Sequence, residues 1–357
     1  MTASEAELLP DILRELLRAR GPSGYETAPA AVWRQAAAEF GAEVSTDSVG
    51  TPSARVAGRS SKRLLIMGHI DEIGLIVTHI DDEGYLWFAP VGGWDAQILV
   101  GQRVVLGTRS GDVRGVIGKK PIHLLRDEER KKVAELRDLH IDVGAKDGQQ
   151  AREMVRIGDV AVLDGEPLEM PNGRLVSRAL DNRLGSFVAL EAARLVARAG
   201  GGDWELVATA VAQEETTFGG SRTSSFSLKP DAAVVVDVTH ATDAPGIDVK
   251  EAGKHELGSG PVLSRGSTLH PALFELLHET AESEEIPFTV EASGRNTGTD
   301  ADAVHLSRGG VPTALVSIPL RYMHSPVELV ALEDVHACAR LIAAAALRLN
   351  DQFSFAR

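Results

Sequence analysis

The chain predicts an α/β fold, a central sheet flanked by helices, with a small β-rich domain inserted into it. Two features carry that prediction. Trp204-Glu-Leu-Val-Ala-Thr-Ala-Val-Ala212 and Ala232-Ala-Val-Val-Val236 are β-rich and nearly free of charge, the pattern of strands buried on both faces of a parallel sheet. From about Ile73 to Leu163, by contrast, short β-like segments alternate with glycines and turns at all-β spacing, and βαβ texture resumes afterwards. That middle stretch therefore reads as an insertion.

At 357 residues the chain suggests two domains, one inside the other. The expected division is residues 1–72 and 164–357 for the α/β domain and 73–163 for the insert. Charged residues are 25% and hydrophobic ones 43%, which suits a folded soluble protein. Against 37 basic residues stand 51 acidic ones, a net charge of -14, so nucleic-acid backbones and anionic membranes are disfavoured as partners. The N-terminus lacks a basic and apolar leader, and no run approaches the roughly 18 apolar residues of a span, so a cytoplasmic location is expected. Cys338 is the one cysteine. It allows no intrachain disulfide or thiolate metal cluster, and its apolar helical setting makes it a packing residue.

In order, Leu8, Leu9, Ile12, Leu13, Leu16 and Leu17 recur at helical spacing over residues 5–20, broken by Gly21-Pro22-Ser23-Gly24. A second helix follows from Thr27 to Phe40. Strands fill residues 42–68, the last being Arg63-Leu-Leu-Ile-Met-Gly68, which delivers His69-Ile70-Asp71-Glu72. The His-x-Asp spacing puts both side chains on one face, where Asp71 can accept from one imidazole nitrogen while the other binds a metal. Inside the insert, β-like segments run from Gly74 to His79, Tyr85 to Phe88, Arg103 to Gly107 and Gly111 to Ile117; helical spacing appears at Asp127 to Asp138 and Gln149 to Val155. The charged run Arg126–Lys132 reads as a solvated helix face.

After the insert, Leu175–Leu180 leads to Asp181-Asn182-Arg183-Leu184-Gly185 and a helix to Ala199. Asp181 at that junction suits either an N-cap or a metal-bridging carboxylate. The 204–212 strand stops at Gln213-Glu214-Glu215, and the 232–236 strand stops at Asp237. Ligands of open α/β sheets sit at the carboxyl ends of strands, so two neighbouring strands ending in acids suggest one shared site. Those clustered acids need counter-charge, and divalent cations supply it economically. Leu269 to Glu284 reads as a helix, Ile286 to Glu291 as a strand, and Gly298-Thr299-Asp300-Ala301 as the start of a helix to Ser307. A buried strand, Pro312 to Ile318, is followed by His324, and Glu333 to Asn350 closes the chain as a helix.

Histidine and carboxylate donors without thiolate suit zinc, cobalt or manganese. No Gly-x-Ser-x-Gly elbow or Gly-x-x-x-x-Gly-Lys-[Ser/Thr] loop occurs, so serine and nucleotide-phosphate chemistry are unsupported. Because Glu214 and Glu215 are adjacent on what reads as an extended strand, they point in opposite directions, and only one can bind a given metal directly.

Six ordered motifs, Gly68-His-Ile-Asp-Glu-Ile-Gly-Leu75, Ala179-Leu-Asp-Asn-Arg-Leu-Gly185, Gln213-Glu-Glu215, Asp237-Val-Thr-His240, Gly298-Thr-Asp-Ala301 and Arg321-Tyr-Met-His-Ser-Pro326, resemble the M42 metallo-aminopeptidases, the tetrahedral and glutamyl aminopeptidases. The resemblance implies a zinc-exopeptidase-like mixed sheet flanked by helices, with the insert closed as a small β-barrel that mediates dimerisation. It implies that Asp181 bridges two divalent ions, zinc or cobalt, one also held by His69 and Asp237 and the other by Glu215 and His324. Glu214 would be the general base acting on a metal-bridging water, and Asp71 would orient His69. Peptide substrates and a homo-dodecamer of dimers are the implied partners. Where the family has Val-Gly and an Arg-Gly turn after the glutamate pair, this chain has Thr216-Thr217-Phe218-Gly219-Gly220, which puts substrate preference in question. His123 and His240 fall in family-like motifs. Arg321 suits either substrate orientation or pairing with a carboxylate. The rival readings are a di-metal deacylase or amidase on N-acyl compounds, and a non-catalytic assembly protein with a structural metal site.

Overall fold

The computed structural model describes residues 8–356. An eleven-stranded mixed sheet forms its centre. Four strands at the heart of the sheet run parallel in the order Glu205–Val211, Arg63–His69, Ala232–His240, Thr313–Arg321. Antiparallel strands extend both sides: Pro52–Val56 and Glu43–Thr46 beyond Glu205–Val211, and Glu328–Ala331, Arg174–Ser177 and Leu168–Met170 beyond Thr313–Arg321. Val262–Gly266 also pairs antiparallel with Thr313–Arg321 and carries Thr289–Ser293 as a parallel edge.

The alternation of strand side chains divides the interior in two. Leu64 and Ile66 face a large core built with the helices Asp11–Arg18, Thr27–Glu39, Leu180–Arg198, Pro271–Ser283 and Leu332–Arg348. Leu65 and Met67 face a smaller core with Leu228, Ala301 and Val304, under the helices Gly219–Leu228 and Ala301–Val304. Both faces are covered, so the central strands have no polar side to show, and each buried Leu, Ile or Met contributes about 1.5–3 kcal/mol. Cys338 is buried in the larger core.

At Gly68 the central strand packs directly against the backbone of the Leu180–Arg198 helix. A Cβ there would lie 2.2 Å from the carbonyl carbon of Gly185, so backbone meets backbone with no side chain between. Trp33 ties a second helix to the first by donating from Nε1 to the Ser186 carbonyl at 2.9 Å.

The insert closes as a six-stranded antiparallel barrel in the order Gly74–Ile80, Tyr85–Val91, His140–Asp142, Gly111–Gly118, Arg103–Thr108, Val160–Leu163. Leu75, Val77, Leu86, Val104, Leu106, Ile117 and Ile141 fill it. The expected helix over 127–138 is absent. One turn forms at Asp127–Arg130, and Leu136–Asp138 is a separate 3-10 turn whose Glu135 amide donates to Asp138. The barrel claims Leu136 and Leu139 as packing partners, and that docking outweighs continuous helical hydrogen bonding. Among the described residues no helix is long and apolar enough to cross a membrane.

Candidate active site

His69 ends the central strand, and the strand pairings locate what surrounds it. Val211 is its register partner on one side, and Val235 pairs with Met67 on the other, which sets Asp237 level with His69 two residues further along. The two acid-bearing strands are thus not adjacent; the histidine strand runs between them. Asp237 also lies within its strand, which continues to His240.

Past Val211 the chain does not stay extended, contrary to the sequence-based expectation. Gln213 adopts a left-handed conformation (φ 60°) and Glu214–Thr217 forms one helical turn. The cause is Asp71, fully buried, whose two carboxylate oxygens accept the backbone N–H groups of Glu214 and Glu215, each at 3.1 Å. The first turn of a helix has free donors, and a buried carboxylate placed there stabilises it. Successive residues on a helix lie about 100° apart rather than 180°, so both glutamates reach the same cavity.

Asp181 follows Ala179, which is left-handed (φ 59°), and regular helix geometry begins only after Asn182. Asp181 does not realise the N-cap alternative: the regular helix starts after Asn182, and it is Asn182 Oδ1 that accepts the Gly185 amide at 2.8 Å. The two oxygens of Asp181 face different imidazoles: Oδ1 is 3.1 Å from His69 Nε2, and Oδ2 is 3.3 Å from His324 Nε2. Around the first imidazole, Glu214 Oε2 is 3.7 Å and Asp237 Oδ1 4.0 Å from His69 Nε2. Around the second, Glu215 Oε1 is 3.6 Å from His324 Nε2.

Both histidines present Nε2 to the acids because their Nδ1 atoms are engaged elsewhere. His69 Nδ1 lies 3.2 Å from the Asp71 carbonyl and 3.5 Å from its carboxylate. His324 Nδ1 lies 2.9 Å from the carbonyl of Gly93, in a loop of the insert. A proton on Nδ1 leaves the Nε2 lone pair free as a donor to a metal.

Electrostatics describe a cluster short of positive charge. Burial pushes Glu214 up to about 10, against the pull of His69 and with repulsion from Asp300, Asp237 and Glu215. Burial likewise raises Glu215 and Asp237 to about 8 each. Asp181 goes the other way: burial opposes ionisation, but His324 and His69 outweigh it and hold the carboxyl below the usual range. The hydrogen bond to Asp181 lifts His324 to about 9. Three buried acids that resist ionisation beside two imidazoles make a donor set that divalent cations fit. Two groupings, His69 with Asp181 and Glu215, and His69 with Glu214 and Asp237, each bring their ligand atoms within 4.8 Å of one another.

A cavity of about 490 Å3 opens beside the cluster, lined by His69, Asp181, Glu214, Glu215, Asp237 and His324 and, beyond them, by Phe218, Val238, His240, Glu291 and Met323. Asp71 stands behind this lining. Phe218 comes from the Thr216–Gly220 segment. His123 sits exposed on the one-turn Ile122–Leu124 helix, outside the cavity lining. Arg321 pairs with Asp243 through Nε at 3.0 Å and a terminal nitrogen at 2.5 Å.

Sequence reasoning missed Glu328. It is buried in the strand Glu328–Ala331, and its oxygens accept the amide of Asp181 at 3.0 Å and that of His324 at 2.9 Å. A lone carboxylate heading an apolar strand four residues after His324 was the available signal. Glu26, whose Oε1 accepts the Gln213 amide at 3.0 Å, was also missed.

A mixed sheet with covered faces thus gathers histidines and acids around the carboxyl ends of its parallel strands, beside a cavity, as a donor set that could hold divalent metal. The chain belongs to the M42 family, whose glutamyl aminopeptidase description matches residues 50–341. It is 34% identical to the lysyl aminopeptidase of Pyrococcus furiosus over 93% of this chain and 94% of that one. The TET aminopeptidase of a marine sediment Thaumarchaeota archaeon superposes with a TM-score of 0.92 at 35% identity, covering 99% of each chain. The TET1 peptidase of Pyrococcus horikoshii, described as assembling into a tetrahedron or a large octahedral shell, has a TM-score of 0.83 at 30% identity over 95% of this chain and 99% of that one. The chain is accordingly an aminopeptidase, a hydrolase that removes residues from the N-termini of peptides.

Proposed function

We propose that this aminopeptidase works with two divalent ions, zinc or cobalt, bridged by Asp181. His69 and Asp237 would complete the holding of one ion, and Glu215 and His324 that of the other. The observation that carries the reading is the two-sided setting of Asp181, one oxygen toward each imidazole. Nitrogen and carboxylate donors without thiolate suit these metals. When bound, such a pair lowers the pKa of water toward roughly 7 and polarises the scissile carbonyl.

The protein's own groups do the rest. Glu214, at the cavity wall, accepts the proton of the attacking water and returns it to the leaving amine. Its distance from His69 Nε2 is close to that of Asp237, so the division into base and ligand rests on the family resemblance and on chemistry: a base must start ionised and be free to take up a proton, which a carboxylate bound directly to a cation is not. Asp71 is a positioning residue. It holds the Glu214–Glu215 turn through two backbone amides and keeps the His69 ring in place through its carbonyl. Assembly of dimers into a dodecamer is the quaternary state we infer, by likeness to the shell-forming relative.

The test is Glu214→Gln. Turnover of an aminoacyl p-nitroanilide should fall by about 10²–10⁴-fold while elemental analysis still finds two metals per chain. Unchanged turnover would refute the assigned base, and loss of metal alongside activity would make Glu214 a ligand instead.

A further inference from the structure

An aminopeptidase must accommodate the side chain of the residue it removes, and the cavity beyond the metal-type cluster offers that space. Its wall combines the apolar Phe218, Val238 and Met323 with one carboxylate outside the cluster, Glu291. We propose that Glu291 makes this enzyme select peptides that begin with lysine or arginine, the aliphatic stem lying along Phe218, Val238 and Met323 and the terminal cation meeting the Glu291 carboxylate. The proposal rests on the aminopeptidase reading of the site.

Three observations carry it. The first is the inverted pattern of the edge strand Thr289–Ser293: Thr289, Glu291 and Ser293 are sheltered while Val290 and Ala292 are exposed. A solvated edge strand would ordinarily turn its valine inward and its glutamate outward. Here apolar burial is forgone and a carboxylate is presented to the cavity.

The second is that this carboxylate has no cation of its own. Among the described residues Glu291 enters no ion pair. Its titratable neighbour is His255, whose Nδ1 lies 2.7 Å from the Thr289 hydroxyl and whose imidazole burial holds below its ordinary pKa, so it stays neutral near pH 7 and leaves the charge uncancelled.

The third is what the lining lacks. Among the described residues the cavity is lined by no lysine or arginine. An acidic first residue would face Glu291 and the cluster acids with only His240 to offset them beyond the cluster, so the glutamyl preference in the family's description does not suit this wall. A cationic side chain both gains an attraction and avoids that repulsion.

The test compares kcat/KM of the metal-loaded full chain on lysyl, arginyl, leucyl and glutamyl p-nitroanilides. The wild type should favour lysyl and arginyl over glutamyl by about 100-fold or more, roughly tenfold for each of the gained and avoided interactions. Glu291→Gln should cut lysyl and arginyl hydrolysis about tenfold and leave leucyl within about twofold, and Glu291→Lys should raise glutamyl hydrolysis above lysyl. The edge position of the strand makes both variants tolerable to the fold. A wild-type preference for glutamyl, or a lysyl-to-leucyl ratio unmoved by either variant, overturns the proposal. Failure of the wild type on all four substrates would instead remove the aminopeptidase reading beneath it.

Discussion

Replacing Gly68 by alanine tests whether the site depends on contact between strand and helix backbones. The added Cβ would lie 2.2 Å from the Gly185 carbonyl carbon and 2.6 Å from both its Cα and its oxygen. Ordinary contact begins near 3.4 Å, so relief requires the strand and the Leu180–Arg198 helix to part by about 1 Å. Neither side can yield by rotating a side chain. Overpacking of this kind costs about 1–3 kcal/mol, and backbone obstacles put the cost at the upper end. The same movement reaches the chemistry, because His69 follows Gly68 and Asp181 lies at the start of the displaced helix. A 1 Å misplacement of reacting groups costs on the order of 10²-fold in rate. Urea unfolding and kcat/KM on a leucyl p-nitroanilide measure the two effects, with Gly107→Ala, where a Cβ meets nothing within 4 Å, as the control. Wild-type stability and activity in Gly68→Ala would refute the reasoning.

Glu72 is buried between Arg178 and Arg183, accepting from both guanidiniums, with Arg183 at 3.1 Å. Glu72→Gln strands two buried cations and should cost about 3–5 kcal/mol in urea unfolding; a change below about 1 kcal/mol would mean the arginines find other partners. Glu328→Gln replaces one acceptor by a donor facing the amide of Asp181 or His324 and should weaken metal affinity by about 10–100-fold, read by competition with a chelating dye; wild-type affinity would show that the two ligand loops hold themselves. Asp334 supplies a pH dependence away from the site. Burial pushes its carboxyl up to about 7 although it accepts the Gly258 and Gly260 amides. A folded-state value above the unfolded one means the native state keeps the proton longer, so this contribution to stability is full below about pH 4 and is lost as pH rises through 7. Wild-type urea midpoints should therefore fall relative to those of Asp334→Asn between pH 5 and pH 8, and parallel profiles would contradict the assignment.

Much of this molecule was readable along the chain because the deciding signals were local. Leu64 through Met67 alternate between two cores, and a run that is apolar on both faces announces a central strand before any neighbour is known. Buried Cys338, the all-β texture of the insert and the motifs around His69, Asp181, Glu215, Asp237 and His324 belong to the same category. The readings that failed depended on partners far away in sequence. Glu214 and Glu215 turn as a helix because Asp71, more than 140 positions earlier, takes their amides. The 127–138 segment breaks because the barrel draws in Leu136 and Leu139.

By itself, then, the sequence determined which stretches are buried strands, which residue types can hold metal and that the middle of the chain is all-β. Only the tertiary structure decided that the histidine strand separates the two acid-bearing ones, that Glu328 ties the Asp181 and His324 loops together, and that Glu291 faces inward. Burial pattern and residue chemistry are carried by each short segment. Strand order, backbone hydrogen bonds between distant loops and the facing of an edge strand arise only when those segments compete for the same space.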